Sequence, residues 1–583
     1  MDVTADAGGR LRFGAFELDV RSRELRGGDT VVRLQEQPFE ILRMMLDRPG
    51  DVVTREELRQ RLWPNGTFVD FEHSLNAAVK RLRAALGDSA DNPRFVQTLP
   101  RRGYRFIGAA SGASADPGTV PLVRLAVLPF TNLSLDAAQE YFVDGLTEEM
   151  IAQLGRRCRG RIGVVARWSS MVFKGTSERA QAIGRALRAD YLLEGSVRRE
   201  GDRVRITARL VDAAAETDLW AETYQRDLTD CLTVQADVAA RIAESLACEL
   251  VSDGGPSAAG SPLSASAYQA YLKGRYYWNQ WLKPDDEGGD QALAYYEEAL
   301  RLDPRFAPAH AGAARVHIAR AGCYRERPRP ALERGRAAAQ RALETDPMLA
   351  EGHLALADVR WMLDRDWRGA EAEYLQAIAL NPSEENAHRK YGAMLAALGR
   401  SADAVREVER AAELDPLCLV VGTSTAFVCY LAGDHVAALE HCRRTTDLDP
   451  QYFPAREVQG AVYLQAGKVR DAVAVLEAAY VQARHDPVVA AALAQARAVA
   501  GDREGAEALL AAVHRLGDTR YVPPYHLALA HAGLGNVDAA FGALQQGAAD
   551  GDPALVYMAV EPRLAALRTD ARFPHLLAQV GLR

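Results

Sequence analysis

The sequence predicts a multidomain chain of three fold classes: an α+β domain first, a small α/β middle domain, then a long all-α repeat array. Three observations carry this. Short alternating stretches, three amphipathic helices and a hairpin pattern follow one another within residues 10–110. Strand-like and helix-like stretches alternate across residues 121–250. From about residue 264 to residue 583 the chain repeats itself at a fixed period. A length of 583 residues suits three or four domains, and 48% hydrophobic with 25% charged residues is a globular composition.

The stretches Leu11 to Val20 and Val31 to Leu34 read as strands, with a turn at Gly27-Gly28-Asp29. Leu34 to Leu46 reads as a helix with Pro38 in its first turn, where a missing N–H does little harm. Phe39, Leu42 and Leu46 form its buried face. Thr54-Arg55-Glu56-Glu57 is a capping-box pattern that opens a second helix, closed by Trp63-Pro64. In the third helix Leu75, Val79, Leu82 and Leu86 fall at i, i+4, i+7 and i+11, forming one apolar stripe. Ala77, Lys80, Arg81 and Ala84 project from the opposite side, flanked by Asn76 and Arg83. The alanines let the helix backbone approach a partner closely, and the cations reach phosphates and guanine edges.

An ordinary amphipathic surface helix would carry the same stripe. The hairpin that follows, with Pro100-Arg101-Arg102-Gly103 at its turn, favours double-stranded DNA: a helix for the major groove and a tip for the neighbouring backbone or minor groove. Between His73 and Gly108, Lys80, Arg81, Arg83, Arg94, Arg101, Arg102 and Arg105 face only Asp88 and Asp91, in a chain of net charge −8.

The pieces LRFGAFELD, LQEQPFEIL, TREELRQRLWP, VKRLRAALGD and FVQTLPRRGYRF resemble the winged helix-turn-helix DNA-binding domain of the OmpR/PhoB family. The resemblance implies an α+β winged helix over residues 10–110, with the third helix reading the major groove. It implies DNA contacts at Asn76, Lys80, Arg81 and Arg83 of that helix and at Thr98, Arg101 and Arg102 of the wing. Tyr104 is also a wing candidate, with a core role the better reading. The loop Trp63 to His73 corresponds to a segment that touches RNA polymerase in some members. Pro100 stands where the family usually has arginine, and arginines occupy the next two positions.

A polar linker at residues 111–120 separates this domain from the next. LAVLPF, IGVVAR, YLLEGSVRRE and RVRITARLVDA read as strands, the last two joined through Gly201-Asp202. GLTEEMIAQL, ERAQAIGRALRAD and VQADVAARIAESL read as helices. Glu148-Glu149 reads as a helix first turn, where carboxylates favour the dipole. The cues LAVLPFTNLS, DGLTEEMIAQL, ADYLLEGSVRR and LWAETYQRDL resemble a TolB-like domain over residues 121–250, which implies ligand sensing or assembly.

Gly399, Gly433, Gly467, Gly501 and Gly535 recur every 34 residues, and Ala404, Ala438, Ala472, Ala506 and Ala540 follow five positions later. Asp-Pro or Asn-Pro pairs end successive units at Pro304, Pro347, Pro382, Pro416, Pro450 and Pro487. Glycine relieves a tight turn, alanine allows close helix packing, and proline stops the second helix. The pattern resembles tetratricopeptide repeats over residues 264–583, eight or nine units with EPRLAALRTDARFPHLLAQVGL as end cap. Such a superhelix implies a groove for a protein or peptide partner, or a homodimer. The cluster Tyr271, Tyr276, Tyr277, Trp278 and Trp281 fills the first repeat's core or forms a recognition patch.

No enzyme is expected. The chain has no GxxxxGK[ST] loop, no GxSxG elbow and no HExxH. Lys174-Gly175-Thr176-Ser177 has the wrong order for a nucleotide loop, and His435 and His441 read as helix-face residues. No receiver domain precedes the winged helix. Seven scattered cysteines without a CxxC pair suggest reduced thiols, so no metal site and no cofactor are expected. The opening residues are polar and acidic, so no signal peptide is expected. Pro416 to Gly433 is uncharged but sits in register with the repeats, which favours a repeat helix over a membrane span. The sequence thus reads as a cytoplasmic, nucleoid-associated, one-component transcriptional regulator, with a repeat-based assembly scaffold as the alternative.

Overall fold

The computed structural model describes residues 10–13, 16–19, 24–27, 30–47, 52–62, 71–86, 88, 95–99, 103–106, 123–134, 136, 139–157, 162–201, 203–227, 238, 241, 264–280, 287–483, 486–517 and 520–582. The chain divides into two compact units, Met1–Pro121 and Leu122–Arg583.

In the first unit β1 (Arg10–Phe13), β2 (Phe16–Asp19), β3 (Glu24–Gly27) and β4 (Thr30–Arg33) form an antiparallel meander. The stretch Leu11 to Val20 is therefore two strands, folded so that Phe13 faces Phe16 in register. Then come α1 (Glu36–Asp47), β5 (Val52–Thr54), α2 (Arg55–Leu62) and α3 (Phe71–Leu86). The capping box forms in full: Glu57 N donates to Thr54 Oγ1 at 3.2 Å and Thr54 N donates to Glu57 Oε2 at 2.7 Å. The wing, β6 (Val96–Leu99) and β7 (Gly103–Phe106), joins β5 in a sheet of order β5-β7-β6. Gly103 is required there, because a Cβ would lie 2.1 Å from the Val53 carbonyl oxygen.

One core holds this unit. Leu18 and Leu25, Phe39, Leu42 and Leu46, Leu58, the stripe Leu75–Val79–Leu82–Leu86, Val96 and Phe106 are all buried together. Each such side chain contributes roughly 1.5–3 kcal/mol. The stripe, more than helix propensity, therefore fixes α3 against the domain.

The second unit opens with β8 (Val123–Val127), β9 (Thr131–Asn132), α4 (Glu140–Arg157), β10 (Ile162–Val165), α5 (Arg167–Met171) and α6 (Ala180–Leu187). The strands β11 (Tyr191–Glu200), β12 (Arg203–Asp212) and β13 (Thr217–Asp227) follow. The sheet order is β10-β8-β11-β12-β13, with β9 beside β11. β8 runs parallel to β10 and β11, as helical crossovers require, and β11 to β13 form an antiparallel meander. Most of VQADVAARIAESL, the linker at 111–120 and the boundary near 250–264 lie outside the described residues.

Among the described residues eight helical hairpins follow. They are α7 (Ala265–Trp278) with α8 (Glu287–Leu302), α9 (Ala307–Gly322) with α10 (Pro328–Thr345), and α11 (Ala350–Val359) with α12 (Trp367–Leu380). Next come α13 (Glu385–Ala397) with α14 (Ser401–Leu414), α15 (Leu419–Leu431) with α16 (His435–Leu448), and α17 (Phe453–Gln465) with α18 (Val469–Gln482). The last are α19 (Pro487–Val499) with α20 (Arg503–Leu516), and α21 (Pro524–Gly533) with α22 (Val537–Asp550). Two 3-10 turns, Pro553–Tyr557 and Pro562–Leu567, and α23 (Phe573–Gln579) close the array.

The periodic residues do what their chemistry predicts. The five glycines sit at φ 74°, 82°, 71°, 87° and 73°, the left-handed turn that ends the first helix of a hairpin. The five alanines are fully buried. Asp346, Asn381, Asp415 and Asp449 cap the ends of second helices. Asp486-Pro487 differs: it opens α19, the Asp486 carboxylate accepting from Val488 N at 2.9 Å. Pro416 to Gly433 contributes α15, and among the described residues no helix is long and apolar enough to cross a membrane.

The α/β domain and the repeats share a core. Along α4, Gly145 admits Leu272 of α7, since a Cβ would stand 2.8 Å from the leucine Cδ2. The edge strand β10 is sealed by the repeats: Val164 N donates to Ser383 Oγ at 3.1 Å, and beyond the strand Ala166 N donates to Leu414 O at 2.8 Å. Ser169 donates from N and Oγ to Asp415 Oδ1 at 2.9 and 2.5 Å.

Glu148 and Glu149 are not in a first turn. Helix α4 begins at Glu140, so they fall mid-helix, buried against α7. Arg275 pairs with both carboxylates, reaching Glu148 Oε1 at 2.5 Å, and Arg167 Nε lies 3.4 Å from Glu148 Oε2. The Tyr271 hydroxyl donates to Glu149 Oε1 at 3.1 Å. Burial pushes the Glu148 carboxyl up, but Arg275 and Arg167 outweigh it and bring it to about 2.

The end cap folds back onto earlier repeats. Val556 is buried in one cluster with Trp361, Met394 and Val428. Tyr557 meets Trp361 and Phe427 edge-on, with ring centres 6.3 and 5.1 Å apart. Glu561, fully buried, accepts from Tyr430 Oη at 2.5 Å and from Arg563 Nε at 2.8 Å. Trp367 Nε1 donates to Gly581 O at 2.9 Å. The face of α11, α13 and α15 that these residues cover is thus occupied by the chain itself.

Candidate nucleic-acid interface

The site is built on α3. Its stripe is inside, so Asn76, Lys80 and Arg81 stand exposed on the side turned away from the core. Asparagine and arginine offer paired hydrogen-bonding groups that match adenine and guanine edges, and lysine offers a point charge for phosphate.

The wing is tied to this helix by side chains. Arg83 Nη2 donates to Val96 O at 2.7 Å and to Thr98 Oγ1 at 2.8 Å. Arg83 and Thr98 are therefore brought together, and they bond each other across the groove between α3 and β6. The Tyr104 hydroxyl donates to Asn76 Oδ1 at 2.9 Å, while its ring is buried in the core. The Arg55 guanidinium lies 5.4 Å over that ring. At the base of the wing Asp88 Oδ2 accepts from Phe95 N at 3.2 Å and from Val96 N at 2.8 Å.

Of the sequence-derived set, Asn76, Lys80, Arg81, Arg83 and Thr98 gather on one side of α3 and β6. Arg101 and Arg102, and residues 63–70 of the Trp63–His73 loop, lie outside the described residues. Sequence reasoning missed Arg55 and Asp88 as positioning residues. Only the capping box around Arg55 and the acid two positions after α3 could have pointed to them.

Arg83→Met is expected to lower the unfolding free energy of the first unit by about 1 kcal/mol, through the lost bonds to β6. Urea unfolding of the full chain, followed by the fluorescence of a label placed in this unit, measures it. An unchanged midpoint would mean that the tie does not hold the wing.

In the second unit, the aromatic cluster divides between two roles. Tyr271 is buried and bonded to Glu149, Tyr277 stacks on Tyr295 with ring centres 5.4 Å apart, and Trp278 lines a hollow between α4 and the repeats. Trp281 lies outside the described residues. Cys418, Cys429 and Cys442 are buried and unbridged. Among the described residues no group of three or more His, Cys, Asp or Glu could hold a metal ion.

Residues 29–106 match the family described as transcriptional regulatory protein, C terminal, and residues 122–242 match the second domain of HilA/YgeH-like transcriptional regulators. The chain is 32% identical over 253 residues to the putative adenylate cyclase 3 of Rhizobium meliloti, covering 43% of this chain and 42% of that protein. It is 40% identical over 95 residues to the cholera toxin homolog transcriptional activator of Vibrio parahaemolyticus, covering 16% of this chain and 32% of that protein. Among solved structures, the Klebsiella pneumoniae RstA DNA-binding domain in complex with the RstA box is similar at 28% identity and TM-score 0.15. It spans 17% of this chain and 95% of its own. A tetratricopeptide repeat protein from Parabacteroides merdae is similar at 13% identity and TM-score 0.34, over 48% of this chain and all of its own. The chain spans less than half the length of the curated relatives it matches. It combines an OmpR/PhoB-type winged helix, a HilA-like α/β domain and tetratricopeptide-type hairpins.

Proposed function

We propose that this chain is a one-component transcriptional regulator that binds specific duplex DNA through residues 10–110 and takes its input through residues 121–250 and 264–583. The observation that carries the reading is the exposed row Asn76, Lys80 and Arg81 on a helix whose other side is locked into the core, beside a wing bonded to that same helix. The family matches of residues 29–106 and 122–242 support it. In this reading α3 enters the major groove, Asn76, Lys80 and Arg81 contact DNA, Arg101 and Arg102 reach the backbone or minor groove, and Arg83 and Thr98 hold the wing at a fixed angle. The Trp63–His73 loop meets RNA polymerase, and a homodimer on paired half-sites raises the affinity of a single module. The protein works at the nucleoid in the cytoplasm and catalyses no reaction.

Binding to a site selected from random duplexes tests this. Arg81→Ala is expected to cost on the order of 1–3 kcal/mol at one base pair and relax preference there. Lys80→Ala is expected to weaken all duplexes alike and flatten the salt dependence. A parent protein that holds no duplex better than random competitor at cellular ionic strength would overturn the reading. The alternative, an assembly scaffold with secondary DNA contact, is favoured by the eight hairpins. It requires residues 122–583 to capture the main partner without the winged helix.

A further inference from the structure

Within the second unit, α4 and α5 on one side and the first helices of the leading hairpins on the other enclose a hollow of about 400 Å3. Trp168, Trp278 and Tyr296 give it aromatic walls. Most of its charges are matched in place: Glu148 by Arg275 and Arg167, Glu351 by Arg156 at 3.3 Å, and Asp358 by Lys390.

Two sets lack a close ion pair among the described residues. Arg315 rests on Trp278, its guanidinium carbon 4.5 Å from the ring centre; its side chain bonds the neutral Tyr296 hydroxyl, and its buried Nε has no hydrogen-bond partner. Arg389 meets only the neutral Asn386 and Ser424. Opposite in sign, Glu384 and Glu385 meet amides rather than cations: Asn381 Nδ2 at 3.5 Å and Asn386 Nδ2 at 2.6 Å. The charge of Arg315 acts on both carboxyls without an ion pair between them. Burial, with the charge of Glu351, pushes Glu384 up to about 6, and burial with Glu384 and Asp415 beside it pushes Glu385 well up. Unmatched charges in a sheltered hollow are costly. Arg315 on α9 and Arg389 on α13 present positive charge to the hollow, and Glu384 and Glu385 at the start of α13 present carboxyls to it. A ligand that meets both sets carries an anionic group and a cationic group.

We propose that the hollow binds a small zwitterion, a free amino acid or dipeptide. Its carboxylate meets Arg315, its ammonium meets Glu384 and Glu385, and an apolar or aromatic body lies along Trp168 and Trp278. A hollow of this size falls within the range of small-molecule sites. The site gives the input region of the proposed regulator a ligand class. Its test is read without DNA, so its failure and failure of the DNA reading are separate results.

The full chain is titrated with the free proteinogenic amino acids and with the dipeptides Gly-Trp, Trp-Gly, Ala-Phe and Phe-Ala, by thermal denaturation and calorimetry. At least one compound is expected to raise the melting temperature and bind with one equivalent per chain. Its N-acetyl and amide derivatives are expected to bind at least tenfold more weakly, as are Arg315→Met and Glu384→Gln proteins. Arg315→Lys replaces the methionine variant if the latter loses its native circular dichroism, and is expected to retain part of the affinity. The proposal is overturned if no compound binds at millimolar concentration, or if capped derivatives or diamines bind as tightly as the free zwitterion.

Discussion

Replacing Arg275 by methionine is expected to destabilise the second unit by about 3–5 kcal/mol, the cost of leaving buried carboxylates without their cation. Glu148 and Glu149 are both buried and both pair with this one guanidinium. Methionine fills similar volume, so the loss is electrostatic rather than a cavity. Because Glu148 titrates at about 2 in the fold, below the ordinary carboxylate range, its contribution is complete above roughly pH 4.5 and fades as the pH falls toward 2. The gap between variant and parent therefore narrows in acid. Urea unfolding at pH 7 and pH 3 measures both effects. A triple change that adds Glu148→Gln and Glu149→Gln is expected to recover part of the loss, since the unpaired charges go with it. An unaltered midpoint at pH 7 would show that the network contributes no net stability.

The second large effect is expected at Glu561. Its carboxylate is fully buried and accepts from Tyr430 and twice from the Arg563 side chain. Glu561→Ala strands Arg563 in the same dry pocket, at a cost of about 3–5 kcal/mol. The loss is expected to be local before it is global: the segment from Asp552 to Leu582 shares a core with Tyr525, Leu529, Phe541 and Leu544 of the last hairpin, while its hold on the middle repeats rests on Val556, Tyr557, Glu561 and Gly581. Limited proteolysis is expected to cut the variant first between residues 552 and 582, with the first unit left intact. Cleavage at the same sites and rates as the parent would sink this account.

Local periodicities in the chain carried much of the fold. The stripe on α3 and the alanines of the repeats are read from spacings of a few residues, and burial follows them one by one. The glycine turns are equally local, since a positive φ is a property of the residue itself. What was illegible depends on partners far along the chain. β5 is three residues long, with no period to read, and exists because β7 pairs with it. Glu148 and Glu149 looked like a helix start because nothing nearby announces Arg275. At the candidate interface the exposed cations of α3 were visible from the helical wheel, yet the bond from Arg83 to β6 was not, because register between a helix and a hairpin is a tertiary fact. The segment Glu561 onward caps the last hairpin, as its place in the sequence suggests, and packs against Tyr525, Phe541 and Leu544; that it also plugs the middle repeats is illegible locally, because Tyr430 and Glu561 lie more than a hundred residues apart.

That plug constrains the order of synthesis. Trp361, Tyr374 and Met394 leave the ribosome long before Val556, which completes their cluster. Until residues 553–582 emerge, the nascent middle repeats must present an open greasy face to chaperones and proteases. A transcript cut short by even a few dozen codons would therefore yield a product recognisable as unfinished and cleared, so that only chains carrying the sealed array persist.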